Sequence, residues 1–207
     1  MNEMLGKTTQ ECAKFVVGQH REIAGIIVRP YVYIPNQRSI GEEKILITRE
    51  HFLNSFDANE MLQGRPEGTN ITLDSTIKLD DDTNGYWPLL DLAMNKSDDN
   101  LRMAIDRTET QMSEFTGRVF LLETNRSYHL MGTKILPNEN LWFDFLGKSL
   151  VSNIVIKTPD DQPNIHIPYV DYRYIGYSIL RRSSGLRLTT SGKKTFEPRV
   201  VAITDIE

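Results

Sequence analysis

FLLETNRSYHLMG, residues 120–132, places a short polar segment between two apolar runs. Both runs are short and rich in residues that favour extended chain, so the pattern predicts two strands. Ser127 and His129 are two residues apart, and alternate residues of a strand lie on the same face. With Arg126 beside them, that face could bind a phosphate oxygen. Taken alone, the motif favours a hydrogen-bonded histidine on a half-buried strand, which is the simpler interpretation.

Two amphipathic segments flank this pair of strands. Residues 97–115, SDDNLRMAIDRTETQMSEF, begin with cap residues and acids and continue with apolar residues at helical spacing, and Gly117 follows where a helix would stop. Residues 138–154, NENLWFDFLGKSLVSNI, predict a second helix from the same spacing. A short apolar strand, YWPLLDLAM (86–94), precedes the first helix. The predicted order is therefore strand, helix, two strands, helix.

The rest of the chain extends this mixed pattern. The spacing predicts a helix over 8–24, a strand over 25–35 with Pro30 at an edge or bulge, a strand and short helix within 42–56, a strand over 70–79, extended chain over 162–180 and a hairpin within 185–203 around Ser191, Gly192 and Lys193. Strands that are both clustered and separated by helices predict an α+β fold, with helices on one face of a mostly antiparallel sheet. We expect residues 1–75 to form a small N-terminal α/β lobe, within the same domain or beside it, and residues 76–207 to form the second module.

Length and composition fit a globular protein of one domain, or one domain with a small lobe. Of 207 residues, 39% are apolar and 25% are charged, which supplies enough apolar material for a core. The sequence shows no apolar run of the roughly 18 residues that a membrane span needs, and the acidic N-terminus does not resemble a signal peptide. Cys12 is the one cysteine, which excludes a disulfide framework and a cysteine-rich zinc site within the chain. We therefore expect a cytoplasmic protein without a membrane partner.

Charge is unevenly distributed along the chain. The net charge is −4, yet residues 171–199 carry seven basic and two acidic residues, a local charge of +5 against −9 for the remainder. Such an asymmetry suits an anionic ligand bound near one segment. A solvated, charged face is the alternative that the pattern leaves open.

Asp91 ends the apolar strand of residues 86–94, where a metal or ligand can reach a side chain at a sheet edge. A carboxylate that simply caps the next turn is the alternative. A second alternative is a calcium loop, because Asp80, Asp82, Asn84 and Gly85 match the start of an EF-hand pattern. The preceding segment is β-patterned, however, and so residues 80–85 are better interpreted as an exposed turn.

A second acid, Asp171, precedes the arginine-rich segment. Asp171 and Arg173 are expected to share one strand face, with Arg181, Arg182 and Arg187 following among small hydroxyl residues. Guanidinium groups next to serines suit phosphate recognition. Three nearby tyrosines could stack on bases or belong to the core: Tyr172, Tyr174 and Tyr177.

The order of these elements resembles the archaeo-eukaryotic primase (primase-polymerase) superfamily over about residues 86–203, and more narrowly its bacterial primase 1D-like group. The first motif of that superfamily, a strand ending in acids, is similar to PLLDLAM with Asp91. The second, a small residue, any residue and histidine, is similar to TNRSYHLMG with Ser127 and His129. The third, a strand-ending acid followed by basic residues, is similar to PYVDYRYIG with Asp171.

The resemblance implies an RRM-like catalytic module in residues 76–207. It implies catalytic roles for Asp91, Asp171 and His129, with Mg²⁺ or Mn²⁺ held by the two acids. It also implies that the phosphates of a nucleoside triphosphate contact a set of hydroxyl and basic side chains: Ser127, Arg126, Arg173, Arg181, Arg182 and Arg187. Single-stranded nucleic acid and protein partners in a larger complex are the implied partners.

One position departs from the superfamily pattern. Ala93 stands where the second acid of the first motif is expected, and two-metal phosphoryl transfer needs enough anionic ligands for two cations. Glu123, Asp106 and Glu109 are candidate substitutes, although the last two are expected to face solvent. Two functions therefore follow from the resemblance: a metal-dependent nucleotidyltransferase, or a catalytically degenerate primase-fold subunit that binds nucleotide or nucleic acid in a replication or defence complex. A plain interaction protein is the third alternative.

Overall fold

The computed structural model describes residues 2–32, 43–152, 154–156, 165–190 and 196–204. The helices are α1 (Thr9–Gln19), α2 (Arg49–Asn54), α3 (Asp98–Arg107), α4 (Ser113–Thr116), α5 (Glu139–Val151) and α6 (Tyr172–Arg181), with a π-helical turn at Thr108–Met112 and 3₁₀ turns at Asn2–Met4 and Glu60–Leu62. The strands are β1 (Ile23–Val32), β2 (Ile45–Thr48), β3 (Thr69–Leu79), β4 (Asn84–Tyr86), β5 (Leu89–Asp91), β6 (Val119–Glu123), β7 (Tyr128–Gly132), β8 (Ile154–Ile156), β9 (Ile165–Ile167), β10 (Gly185–Arg187) and β11 (Arg199–Thr204).

Two antiparallel sheets organise these elements. The first sheet has the order β10-β3-β1-β2, with β4 also paired to β3, and the second has the order β11-β6-β7-β5. With β8 to β10 and α6 set aside, the chain passes through a strand, a helical segment, two strands, a helix and a last strand to form the second sheet, which is the element order of an RRM-like unit. The predicted α+β class is confirmed. Strands β8 and β9 form a separate pair.

The second sheet is buried on both faces, which explains its continuous apolar runs. One set of alternate residues, including Leu89, Leu122 and Met131, joins α1, α2 and the first sheet in one core. The other set, including Leu90 and Leu130, packs with helices α3 to α6 in a second core. The sheet therefore separates the two cores.

Strand β3 is the centre of the first sheet. It pairs with β1, β4 and β10, and its residues 69–79 run across the boundary at residue 75 that we predicted between a lobe and a module. The division of the chain into two units stays a prediction. On β3, the Asp74 carboxylate forms an ion pair with Arg29 at 2.8 Å, and these side chains are 0% and 2% exposed. Removing either partner would break this buried ion pair, which typically costs about 3–5 kcal/mol.

Several local predictions are confirmed. The turn at residues 80–82 joins β3 to β4, and because a strand rather than a helix lies on each side, the EF-hand alternative is wrong. Ser97 caps α3, with its Oγ accepting from the Asn100 N–H. Gly117 ends α4 with a positive φ of 61°, a conformation that favours glycine.

The prediction of extended chain over 162–180 is wrong for residues 172–180, which belong to helix α6. Tyrosine and isoleucine favour strands on local propensity, but Ile175 and Ser178 are buried at helical spacing and Asp171 caps the helix. Packing against the second core has therefore outweighed local preference. The N-terminal helix also ends earlier than predicted, at Gln19, because Ile23 begins β1.

The predicted hairpin within 185–203 is also wrong. Strand β10 pairs with β3 in the first sheet, whereas β11 pairs with β6 in the second. The buried side chain of Leu186 packs in the core shared by the two sheets, so burial rather than turn chemistry chooses the partner of β10. The expected turn at 191–193 lies outside the described residues, as do residues 33–35 of the strand predicted over 25–35.

Tyr174 joins the two sheets at their edges. Its hydroxyl donates to the carbonyl of Leu89 on β5 (3.1 Å), lies 3.3 Å from the carbonyl oxygen of Gly185 on β10 and accepts from the Gly185 N–H (3.2 Å). Burial raises the pKa of this hydroxyl well above its ordinary value, so the group stays protonated and able to donate. Gly185 must be small here, because an added Cβ would lie 2.7 Å from the Leu73 carbonyl oxygen.

None of the described residues belongs to a helix long and apolar enough to cross a bilayer.

We predict that Tyr174→Phe lowers the free energy of unfolding by about 1–3 kcal/mol, because it leaves buried backbone groups without their partner. The matched control is Tyr177→Phe, since the Tyr177 hydroxyl makes no hydrogen bond to a described residue, and its stability should change by less than about 0.5 kcal/mol. Urea unfolding of the three proteins measures the difference. Equal stabilities for the two variants would show that Tyr174 does not join the sheets.

Candidate functional site

Asp91 and His129 face each other across adjacent strands. The pairing of β5 with β7 places Asp91 opposite His129, and both lie on the face of the second sheet that packs toward the first sheet. The His129 Nε2 lies 4.0 Å from Asp91 Oδ1, with side chains that are 11% and 36% exposed respectively. The histidine is thus held almost inside the protein, while the carboxylate reaches solvent.

Ser127 reaches the same carboxylate from a tight turn. The Thr124 hydroxyl accepts from the backbone N–H groups of Arg126 and Ser127 and donates to the Ser127 carbonyl, which fixes the turn before β7. The Ser127 Oγ then donates to Asp91 Oδ1 at 3.5 Å. Ser127 and His129 therefore approach one oxygen of Asp91, in agreement with their two-residue spacing.

Asp171 comes to the site through backbone contacts. Val170 forms an isolated antiparallel bridge with Leu92, and the Asp171 N–H donates to the Asp91 carbonyl at 3.1 Å. The chain then turns into α6, so Asp171 and Arg173 do not share a strand face as predicted. We call Asp91, Ser127, His129 and Asp171 the Asp91 site.

The Asp171 carboxylate is held by Arg173. Its Oδ1 accepts from the Arg173 N–H (2.8 Å) and from Arg173 Nε (3.3 Å), and its Oδ2 accepts from Arg173 Nη2 (3.1 Å). Partial burial alone would raise the pKa of Asp171, but hydrogen bonds and charge from Arg173 outweigh it and hold the pKa below its usual range. Asp171 is therefore ionised at neutral pH.

The predicted phosphate-binding arginines lie in three different places. Arg126 is exposed in the turn before Ser127, and Arg173 lies two residues after Asp171. Arg181 and Arg182 follow at the far end of α6, about 15 Å from Asp171 along the helix axis. Arg182 is paired there with Glu139 at 3.2 Å. The structure does not bring the backbone of these two residues to the Asp91 site.

Arg187 is buried, and its guanidinium donates to the carbonyls of Thr189 and Phe196, each at 2.8 Å. Desolvation lowers its pKa, while the nearby charges of Glu197 and Asp91 act in the opposite direction. Arg187 thus ties residue 196 to β10 and adds positive potential within reach of Asp91.

The candidate substitute acids do not complete a metal site. Glu123 pairs with Tyr128 across β6 and β7, one position away from His129, and so lies on the opposite face, where Lys96 binds it. Asp106 and Glu109 are exposed on α3 and the π turn, as expected. In the part of the chain that the structure describes, no group of three or more His, Cys, Asp or Glu side chains could hold a metal ion.

Two carboxylates remain, from Asp91 and Asp171. Carboxylate oxygens are the ligands that Mg²⁺ and Mn²⁺ prefer, and two of them with water and phosphate oxygens fit one cation. They do not fit two cations. At the position of the missing acid, the Ala93 N–H donates to the Tyr169 carbonyl, which keeps this stretch of backbone next to the Val170–Asp171 segment.

The three tyrosines expected to stack on bases or enter the core differ in exposure. The Tyr174 hydroxyl is hydrogen-bonded where the two sheets meet, and Tyr177 is half-buried on α6. Tyr172 is 51% exposed and directly follows Asp171, which leaves its ring the most accessible of the three.

A protein-family model named archaeo-eukaryotic primase 1D-like matches residues 50–198, well over half of the chain. The chain belongs to this primase family. The suspected resemblance is therefore confirmed, and membership supports a function related to the nucleotidyltransferases of the archaeo-eukaryotic primase superfamily. No curated protein and no solved structure matches the chain.

Two structural features of the Asp91 site were not predicted from the sequence. Thr124 forms the turn that presents Ser127, and its signal is the Thr-x-x-Ser spacing within ETNRS. The clamp of Arg173 on Asp171 follows from an N-cap aspartate with arginine at the second helical position. That signal was hidden because residues 172–180 were interpreted as a strand.

Proposed function

We propose that the Asp91 site binds the triphosphate of a nucleotide together with one Mg²⁺ or Mn²⁺, and that polymerisation by this primase-fold protein is weak or absent. The observation that carries the proposal is the meeting of three separate segments: Asp91 faces His129 across two strands, and the Asp171 N–H binds the Asp91 carbonyl. Residues that lie 38 to 80 positions apart in the sequence thus form one polar group at a solvent-accessible sheet edge.

The residues present suit a phosphate only with a cation. Two carboxylates disfavour a bound phosphate, and a divalent cation held by Asp91 and Asp171 would offset that repulsion and neutralise phosphate charge. His129 and Ser127 supply hydrogen-bond donors, and Arg126 and Arg173 supply positive charge at the rim. These groups would bind and orient the triphosphate.

Ala93 carries the second half of the proposal. It leaves the site with two carboxylates, enough for one cation, where nucleotidyl transfer generally uses two. The likeness to primases then fits a subunit that binds nucleotide, or single-stranded nucleic acid, within a larger replication or defence complex.

A second candidate function is nucleotidyl transfer itself. The convergence of the three motif residues favours it, because phosphoryl transfer depends chiefly on positioning and charge stabilisation. In that case Asp91 and Asp171 would hold the cation, while His129 would orient the phosphates of the incoming nucleotide.

We expect His129→Gln to weaken binding of a fluorescent ATP analogue with Mg²⁺ by about 10-fold or more, the effect of losing a hydrogen bond to a charged group. His51→Gln is the matched control, because His51 is exposed on α2 away from the site, and it should bind as the wild type does. Fluorescence titration gives the three affinities, and circular dichroism checks the folds. Equal binding by folded His129→Gln, or none by the wild type, would contradict nucleotide binding at this site.

Primer-free incorporation of labelled nucleotides on a single-stranded template separates the two functions. We expect the wild type to bind nucleotide and incorporate little or none with Mg²⁺ or Mn²⁺. Incorporation by the wild type that is lost in Asp171→Asn would instead establish nucleotidyl transfer and contradict the proposal that polymerisation is weak or absent. Asparagine is chosen because it still caps α6 while removing the charge, so loss of activity would not reflect loss of the helix end.

A further inference from the structure

The Arg173 guanidinium is hydrogen-bonded to the Asp171 carboxylate, which a cation would need as a ligand. Both oxygens of Asp171 accept from it, at 3.3 Å and 3.1 Å, in a two-point contact. A divalent metal bound to Asp171 and this guanidinium would be like charges a few ångströms apart and would repel each other. Cation binding and the Arg173 contact therefore compete for the same carboxylate.

The contact is easily broken. The Arg173 side chain is 76% exposed, and ion pairs with so exposed a partner contribute little to stability. The backbone N–H of Arg173 donates independently to Asp171 Oδ1 at 2.8 Å. Helix α6 thus keeps its cap when the guanidinium leaves, and the exchange needs no unfolding.

A phosphate offers the guanidinium a better partner. Arginine binds phosphate oxygens through two parallel hydrogen bonds, in the geometry that it already uses on Asp171. The Asp91 and Asp171 backbones are hydrogen-bonded, so a triphosphate on His129 and Ser127 would lie beside the N-terminus of α6.

We infer that Arg173 couples nucleotide binding to cation binding: the triphosphate draws the guanidinium off Asp171, and the released carboxylate then takes the cation. This inference rests on the proposed nucleotide site and adds the order in which nucleotide and cation bind there. Because linkage is reciprocal, the cation also strengthens nucleotide binding by the same factor. Without nucleotide, the Arg173 guanidinium weakens the binding of a divalent metal to Asp171.

Mn²⁺ binding to the whole protein tests the coupling. Electron paramagnetic resonance measures free Mn²⁺ with and without a non-hydrolysable ATP analogue, after correction for Mn²⁺ bound by the analogue in solution. The proteins are the wild type, Arg173→Gln and the control Arg102→Gln, which removes one exposed positive charge from α3.

We expect Arg173→Gln to bind Mn²⁺ about threefold to fivefold more tightly than the wild type when nucleotide is absent, the factor that an exposed ion pair supplies. The increase in Mn²⁺ affinity caused by the analogue should shrink by the same factor. Arg102→Gln should match the wild type in both measurements. Thermal melting confirms that all three proteins are folded.

Unchanged Mn²⁺ affinity in Arg173→Gln, with Mn²⁺ and nucleotide both bound by the wild type, would overturn the coupling and leave the proposed function standing. An equal gain in Arg102→Gln would also overturn it, because net charge alone would then explain the effect. Failure of the wild type to bind either ligand would overturn the proposed function itself.

Discussion

The Tyr174 hydroxyl is the contact on which the arrangement of the site depends. It links the edge of β5 to the edge of β10 and is carried by the first turn of α6. Since Asp91 ends β5 and Asp171 caps α6, one buried hydroxyl fixes the sheet edge and the helix that bring the two acids together. A hydrogen bond from the Asp171 N–H to the Asp91 carbonyl also holds the two residues together through their backbones rather than their side chains. Substitution of either acid should therefore alter the chemistry of the site more than its shape.

Strand pairing supplies the other half of the site. His129 is buried between Asp91 on one neighbouring strand and Leu122 on the other, and its position follows from the registers of β5, β6 and β7. These registers are set by two apolar faces that pack into two different cores. A shift by one residue would expose one core and turn His129 away from Asp91. The packing that stabilises the second sheet therefore also fixes the geometry of the site.

Sequence patterns predicted the parts of this structure that depend on local periodicity. The helices α3 and α5, the β6–β7 strands and the strand ending in Asp91 all carry a clear apolar spacing, and the motif order identified the family. Helix α6 was missed because three tyrosines favour strands, and its helical burial becomes visible only against the second core. The partners of β10 and β11 were missed because pairing between distant strands leaves no local signal. Within the site, the spacing of Ser127 and His129 was informative, whereas the distance of Arg181 and Arg182 from Asp171 depended on α6 being helical.

We propose that Asp91, His129 and Asp171 together hold a nucleotide with one cation. Crystals grown with Mn²⁺ and a non-hydrolysable nucleotide test it most directly, because anomalous scattering locates manganese without ambiguity. We expect one manganese peak within coordination distance, about 2.2 Å, of a carboxylate oxygen from both Asp91 and Asp171. The triphosphate should lie against His129 and Ser127. Nucleotide bound elsewhere on the protein, or manganese without Asp91 and Asp171 among its ligands, would contradict the claim.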